Sequence, residues 1–233
     1  MSTQDSPLKE YAFEADGKSP APTCCSWLPT DSNLFVVGYR SSHIAIFDYT
    51  TAKVENFHKF ASGAEEDSEV VCMDSHELQP VIVTGHLDGN LNVFEFRQMT
   101  TLYSVQCVTE ESDREKGVYI QCVKYFNNCQ NIVVGLSNGN IQLYDSKAKL
   151  LNIVEKAHNQ KYDEGVNCLL AIQNLSGSSK AGSGTQNLPF FVSGGADGQM
   201  KIFEHNPYQV PVAEKADAPS ALVEAPGKDE KKE

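Results

Sequence analysis

Apolar and polar positions along the chain fall into short runs that recur at nearly even intervals. Ile44/Ile46, Leu91/Val93, Ile141/Leu143 and Met200/Ile202 alternate in one register, the two-residue period of a half-buried strand. Each run ends on an aromatic followed at once by an acid: Phe47-Asp48, Phe94-Glu95, Tyr144-Asp145 and Phe203-Glu204. Nine residues before each aromatic stands a glycine, Gly38, Gly85, Gly135 or Gly194. Cys25, Cys72 and Cys122 lie thirteen residues before their glycines, and Cys168 lies twenty-six before Gly194, as though thirteen residues had been inserted. A second apolar run surrounds each cysteine and a third precedes each glycine, so every unit reads strand, turn, strand, tight turn, strand. The tight turns carry Asp88-Gly89, Asn138-Gly139 and Asp197-Gly198, pairs that supply the positive φ angles of a two-residue hairpin. The first unit has Ser41-Ser42 there, the poorest hairpin of the four.

Successive glycines are 47, 50 and 59 residues apart, close to the ~40–45 residue period of WD-repeat propeller blades. The stretch from Ser193 to Glu204, with its Gly194-Gly-Ala-Asp-Gly198, resembles the end of a WD repeat in which Phe203 replaces the usual tryptophan. Thr23 to Asp48, Val70 to Phe94 with its Leu78-Gln-Pro80, and Ala157-His-Asn-Gln-Lys-Tyr-Asp-Glu-Gly-Val166 followed by Gly194 to Asp197 resemble, in the same order, the last four repeats of the striatin family. That resemblance spans roughly residues 7 to 204. It implies an all-β WD-repeat β-propeller. Because the family's rings hold seven blades, it further implies that these four form a partial, open propeller.

The expected organisation is an N-terminal segment, 1–20, with one outer strand, Leu8 to Phe13, that would edge a preceding blade. Four WD-type repeats then occupy 21–204, at about 22–50, 69–97, 118–147 and 165–204. Lys53 to Phe57, Leu102 to Val105 and Leu150 to Val154 are read as outer strands. Asn174 to Asn187 is rich in Gly and Ser without apolar period, and reads as a flexible loop. Residues 205–233 combine four prolines with Ala, Glu, Lys and Asp, and read as a disordered tail, a departure from the striatin pattern.

Composition narrows the function. The 233 residues are 40% hydrophobic and 21% charged, with a net charge of −12. That balance repels a phosphate backbone, and no basic stripe overrides it, so nucleic acid is not an expected partner. No run of eighteen apolar residues and no basic-then-apolar N-terminus is present, so neither membrane insertion nor a secretory signal is read, and the expected compartment is cytoplasmic. The seven cysteines lack paired short spacings apart from Cys24-Cys25, so metal ligation is not indicated. Cys25, Cys72, Cys122 and Cys168, one per blade, are read as reduced, buried packing groups.

No phosphate loop, dinucleotide fingerprint, zincin helix or nucleophile elbow is present, so no cofactor and no catalytic residue is expected. His158 precedes a first strand, and in WD repeats such a histidine bonds an acid in the hairpin turn and a hydroxyl on the second strand; the partners here would be Asp197 and Ser193. This reads as a structural network, incomplete because Phe203 lacks an indole N–H. Thr84 and Asp88 keep the same places in the second unit without an upstream histidine, so that blade and the third are expected to be less firmly pinned. Propellers present residues at the start of each first strand, and beside each tight turn, on one rim. Glu69, Tyr119 and Gln121, with Arg40 and Leu87, are the candidate protein-binding residues, Arg and Tyr being enriched in hot spots.

The expected function is a non-catalytic protein-interaction scaffold. The resemblance implies the C-terminal module of a striatin-type scaffold of protein phosphatase 2A complexes in signalling, with kinase and phosphatase complex members as partners. The family's coiled coil, calmodulin-binding and caveolin-binding segments have no counterpart here, so those activities are assigned to no residue. An unrelated WD-repeat adaptor, such as a ubiquitin-ligase substrate receptor, is the alternative. An open arc also exposes two apolar faces, which favours self-association through the open ends.

Overall fold

The computed structural model describes residues 9–61, 68–159, 165–172 and 189–205. Three antiparallel sheets of four strands follow one another in chain order. The first holds β1 (Pro22–Trp27), β2 (Leu34–Tyr39), β3 (His43–Asp48) and β4 (Lys53–Lys59). The second holds β5 (Val70–Ser75), β6 (Val81–His86), β7 (Asn90–Glu95) and β8 (Thr100–Gln106). After a five-residue helix, α1 (Glu111–Glu115), come β9 (Ile120–Phe126), β10 (Asn131–Leu136), β11 (Ile141–Asp145) and β12 (Leu150–Val154). The fourth sheet has β13 (Val166–Ile172), β14 (Phe190–Gly195) and β15 (Met200–Glu204), and no fourth strand among the described residues. The three outer strands expected from the sequence are β4, β8 and β12. Helix α1 lies in the acidic connection between β8 and β9. The loop at 174–187 and the tail beyond His205 lie outside the described residues.

First strands pack on first strands, β1 on β5, β5 on β9 and β9 on β13. The sheets are therefore blades radiating from a shared inner side. Among the described residues no comparable packing joins β13 to β1, and the four blades make an open, partial propeller. Each junction is an apolar layer. Val36, Ile44 and Ile46 meet Met73, Ile82 and Phe94 at the first; Val81, Val83 and Leu91 meet Ile120, Val123 and Ile132 at the second; Ile141 and Leu143 meet Val166 and Phe191 at the third. Burying each such side chain contributes roughly 1.5–3 kcal/mol. A blade holds only one or two of these layers, so its neighbours supply most of its core.

The repeated glycine is explained at these junctions. A Cβ on Gly38 would stand 2.8 Å from Cys24 Sγ and 2.8 Å from Val70 Cγ1 of the next blade. On Gly135 it would stand 2.6 Å from both Cys122 Sγ and Val166 Cγ1. Gly85 is as crowded, between Cys72 and Ile120. A β-branched knob from the following blade thus fills a hole that only glycine leaves open. Gly194 meets Cys168 Sγ alone, no knob from another blade lying over it among the described residues. The pairing also corrects the cysteine register: Cys24, not Cys25, lies opposite Gly38, as Cys72, Cys122 and Cys168 lie opposite theirs. Gly38 stands fourteen positions after Cys24, against thirteen from Cys72 to Gly85 and from Cys122 to Gly135, and this extra residue between β1 and β2 moves the pairing by one position. Cys25 falls opposite Val37 and is exposed.

The tight turns place positive φ four residues after each repeat glycine, at Gly89 (81°), Gly139 (83°) and Gly198 (73°). In the first blade Ser42 takes that conformation at 61°, an uncommon state for a residue with a Cβ. Its buried hydroxyl donates to the Ser68 carbonyl of the adjoining blade, which holds the turn despite the unsuited sequence.

Residues 9–15 do not join a sheet. Tyr11 and Phe13 instead lie on the outward face of blade one, Tyr11 edge-on to Phe35 and Phe47 at 5.2 and 5.5 Å, and Phe13 4.9 Å from Tyr39. Exposure alternates along the segment, with Tyr11, Phe13 and Ala15 turned inward and Glu10, Ala12 and Glu14 outward. The strand read at Leu8 to Phe13 has the periodicity of a strand, but among the described residues no neighbouring strand to pair with; Leu8 itself lies outside them.

The hole at Gly85 separates steric from conformational effects of a mutation. Gly85→Ala is expected to cost about 1–3 kcal/mol by overpacking, and more than Gly194→Ala, whose Cβ meets only Cys168 Sγ within its own chain. Urea unfolding midpoints of the two variants check this.

Candidate protein-binding rim

One backbone bond repeats at the same end of every blade and defines the rim. The N–H groups of Arg40, Leu87, Ser137 and Ala196 donate to the carbonyls of Ala21, Glu69, Tyr119 and Gly165 at 2.9–3.0 Å. Each tight turn is thereby tied to the start of its own first strand. All five candidate rim residues lie at this end. Arg40 reaches across the first junction to Glu69, Nε to Oε2 3.3 Å, with the arginine 71% exposed and the glutamate 23%. A pair so exposed adds little stability, and it leaves most of the guanidinium free for a partner. Leu87, 47% exposed, stands beside Glu69 on the second blade. Tyr119 is half-buried, its amide held by Ser137 Oγ at 3.1 Å. Gln121 Nε2 donates to Asn167 Oδ1 at 2.9 Å across the third junction.

The opposite end holds a group that sequence reasoning missed. A hollow of 320 Å³ is lined by Trp27, Ser75, Asp74, Lys124 and Leu170, so that all four blades contribute. Lys124 Nζ lies 2.8 Å from Asp74 Oδ1 across the second junction, and Asp74 Oδ2 accepts the Tyr125 N–H at 2.8 Å. Ser26 and Ser75 hydroxyls meet at 2.8 Å across the first. The signal was present: Ser26, Asp74, Lys124 and Leu170 all stand two residues after the register cysteine.

Each of the last three blades is pinned by a polar network of its own. In the fourth, His158 Nδ1–H donates to Asp197 Oδ1 at 2.9 Å, and Nε2 lies 2.6 Å from the Ser193 hydroxyl, which donates to it. Desolvation pushes the Asp197 carboxyl up, but the Gln199 N–H, the His158 ring and Lys201 pull it down, and the net shift is below the ordinary value. The geometry is that of a hydroxyl, an imidazole and a carboxylate in line, yet Ser193 and His158 are fully buried. No substrate reaches that hydroxyl in this structure. The network is complete without an indole, since no buried side-chain polar atom among the described residues lacks a partner.

In the second blade Thr84 and Asp88 do not meet. Asp88 caps its own turn through the Asn90 N–H and side chain at 3.1 and 2.7 Å. Thr84 bonds His86 Nε2 at 3.0 Å, and Asn92 bonds the same nitrogen at 3.0 Å. A histidine downstream of Thr84 therefore replaces the upstream one. In the third blade Tyr144 donates to Gln142 Oε1 at 2.5 Å, and Gln142 Nε2 to the Cys107 carbonyl at 3.0 Å. Each of these two blades thus has a polar network of its own in place of the missing upstream histidine.

All seven cysteines are free thiols. Burial pushes Cys24 up to about 11, Cys107 and Cys122 up to about 12, and Cys72 well above the usual thiol range. Cys25 and Cys168 are exposed. Among the described residues no three His, Cys, Asp or Glu side chains cluster as metal ligands, and no helix is long and apolar enough to cross a membrane.

No protein-family model matches the chain. It is 22% identical over 198 residues to a striatin homolog of Dictyostelium discoideum, a match covering 81% of this chain and 21% of that protein. It is 29% identical over 136 residues to cilia- and flagella-associated protein 251 of Mus musculus, covering 54% of this chain and 9% of that one. The chain thus spans about a fifth of the length of the first of these relatives and about a tenth of the second. Among solved structures it is similar to Saccharomyces cerevisiae Sqt1, with a TM-score of 0.64 at 12% identity over 81% of this chain and 47% of the other. The computationally designed proteins Ika4 and Ika8 give TM-scores of 0.56 and 0.55 at 18% and 20% identity. They are covered over 100% and 48% of their lengths, by 85% and 82% of this chain. These likenesses support the partial-propeller fold and, in general terms, a scaffold for protein interaction.

Two chemical consequences are measurable. Thiols shifted above their usual range hold almost no thiolate at pH 8, so iodoacetamide should leave Cys24, Cys72, Cys107 and Cys122 unlabelled in the folded protein and label them only on unfolding; peptide mass spectrometry reads this. Burial lowers the pKa of His58, His76, His86 and His205 from 6.5. A depressed value means the unfolded chain takes up protons first, so their contribution is present above pH 6.5 and is lost as pH falls through the folded values. The melting temperature should therefore drop between pH 7 and 5, and drop less in His86→Gln, as thermal denaturation across that range would show.

Proposed function

We propose that the chain is a non-catalytic scaffold whose rim, at the start of its first strands, docks partner proteins. The observation that carries this is the placement of Arg40, Glu69, Leu87, Tyr119 and Gln121 at one end of three consecutive blades. The group combines a largely exposed guanidinium, an exposed leucine and a held tyrosine, the residue types and polar rim found at protein interfaces. The similarity to a striatin homolog over most of the chain supports a narrower reading: a module of the striatin type serving protein phosphatase 2A complexes in signalling, in the cytoplasm. His158, Ser193 and Asp197, with Thr84 and Asp88, then serve structure, holding the turns that present the rim.

Affinity capture of the tagged chain from cells, with mass spectrometry, tests the reading. Phosphatase-complex members are expected with the parent, and Arg40→Glu combined with Tyr119→Ala should reduce their recovery about tenfold or more, a hot-spot loss, with the melting temperature unchanged. Ubiquitin-ligase subunits in their place would favour the adaptor alternative. Recovery unaffected by the rim substitutions would move the binding surface elsewhere.

A further inference from the structure

The two ends of the arc are complementary to each other. At one end blade four shows an apolar face with nothing on it among the described residues: Leu170, Met200 and Ile202 are 62%, 75% and 65% exposed. The hole at Gly194 lacks the knob that fills Gly38, Gly85 and Gly135. Its edge strand β15 has no outer neighbour among the described residues, whereas β3, β7 and β11 each have one. At the other end, residues 9–15 lie on blade one as an outer strand without a sheet. His58 and Phe60, at the end of blade one, lie 4.7 Å from Phe94 and 4.9 Å from His86 of blade two. Tyr11 and Phe13 lie 5.5 Å from Phe47 and 4.9 Å from Tyr39, the same two places of blade one. Among the described residues no main-chain group of Lys9 to Glu14 is hydrogen-bonded to another main-chain group. Pro22, exposed, stands two residues before Cys24, as the knobs Val70, Ile120 and Val166 stand before Cys72, Cys122 and Cys168.

We infer that blade four of one chain receives blade one of a second copy: residues 9–13 add antiparallel to β15 as its fourth strand, and Pro22 enters the hole at Gly194. The register follows from blade one, where Ile44 pairs with His58 and Ala45 with Phe57. Transferred, it sets Tyr11 opposite Met200 and Glu10 opposite Lys201, an opposite-charge cross-strand pair. The joint is head-to-tail, and such a joint closes only if the rotation per copy completes a ring. The four blades cover 48% of Ika8, 47% of Sqt1 and 100% of Ika4, so two arcs make up the length of the first two and one arc that of the third; the head-to-tail joint selects two, and the expected assembly is a closed dimer with two identical joints. This concerns the ends of the arc and not the rim, so it stands or falls separately from the proposed function.

Sedimentation of the full chain should show a species of twice 25.6 kDa at micromolar concentration. Met200→Glu with Ile202→Lys, at positions exposed in the single chain, should convert it to monomer without loss of the β-sheet circular dichroism signal. Orientation is read by mixing a Glu10→Cys chain with a Lys201→Cys chain, both carrying Cys25→Ser and Cys168→Ser. A disulfide between unlike chains is expected. A monomer at every concentration, a disulfide between two Lys201→Cys chains, growth beyond the dimer, or an intramolecular disulfide at monomer mass in the doubly substituted chain would each overturn the inference. The last would mean that the four blades close on themselves.

Discussion

The contact between a small residue and the knob of the next blade governs this architecture. Three times, a β-branched side chain at the start of one first strand presses into the space above a glycine on the blade before it, with a cysteine sulfur filling the other side. A hole that admits no Cβ sets how closely two sheets approach, and packed interiors leave little slack to set it otherwise. The spacing of glycine, cysteine and knob along the chain is thus the spacing of the blades in space. The rim bond between each tight turn and its own first strand follows from the same alignment.

Around that shared frame the polar chemistry varies from blade to blade. A histidine reaches in from the preceding connection in the fourth blade, a histidine on the second strand serves the second, and a tyrosine with a glutamine serves the third. What is common is the requirement that every buried donor and acceptor find a partner, and different side chains meet it from different directions. The four turns likewise reach one geometry with Gly89, Gly139 and Gly198 at three of them and a buried, hydrogen-bonded Ser42 at the other.

Periodic features were legible in the sequence. The alternation at Ile44/Ile46 and its equivalents, the glycine period and the Asp-Gly and Asn-Gly turns led directly to strands and hairpins, because each is a local property of the chain. What eluded the sequence depended on neighbours. The register of Cys24 hinged on one extra turn residue before Leu34, and counting back from Gly38 pointed to Cys25 instead. His86 supports Thr84 from a position that no upstream search visits. Residues 9–15 have a strand's alternation without a partner strand, since pairing is decided by what lies alongside. Asp74 and Lys124 looked unremarkable until the curvature of the arc set their strands side by side.

Blade four differs from the rest in how much holds it in place. Within one chain and among the described residues, blades two and three are clamped on both faces, and blade one has the aromatic segment at Tyr11 and Phe13 on its outer side, while blade four leans on a single neighbour through Phe191 and Val166 and ends at an unpaired edge. In a linear array of repeats, stability is roughly a sum of nearest-neighbour terms, so such an array opens from its least supported end. In the single chain, amide protons of β15 should then exchange by local opening well before those of β6 or β10, which are released only when the molecule unfolds as a whole. The thermodynamic gradient along the chain runs from its clamped middle toward its last strand.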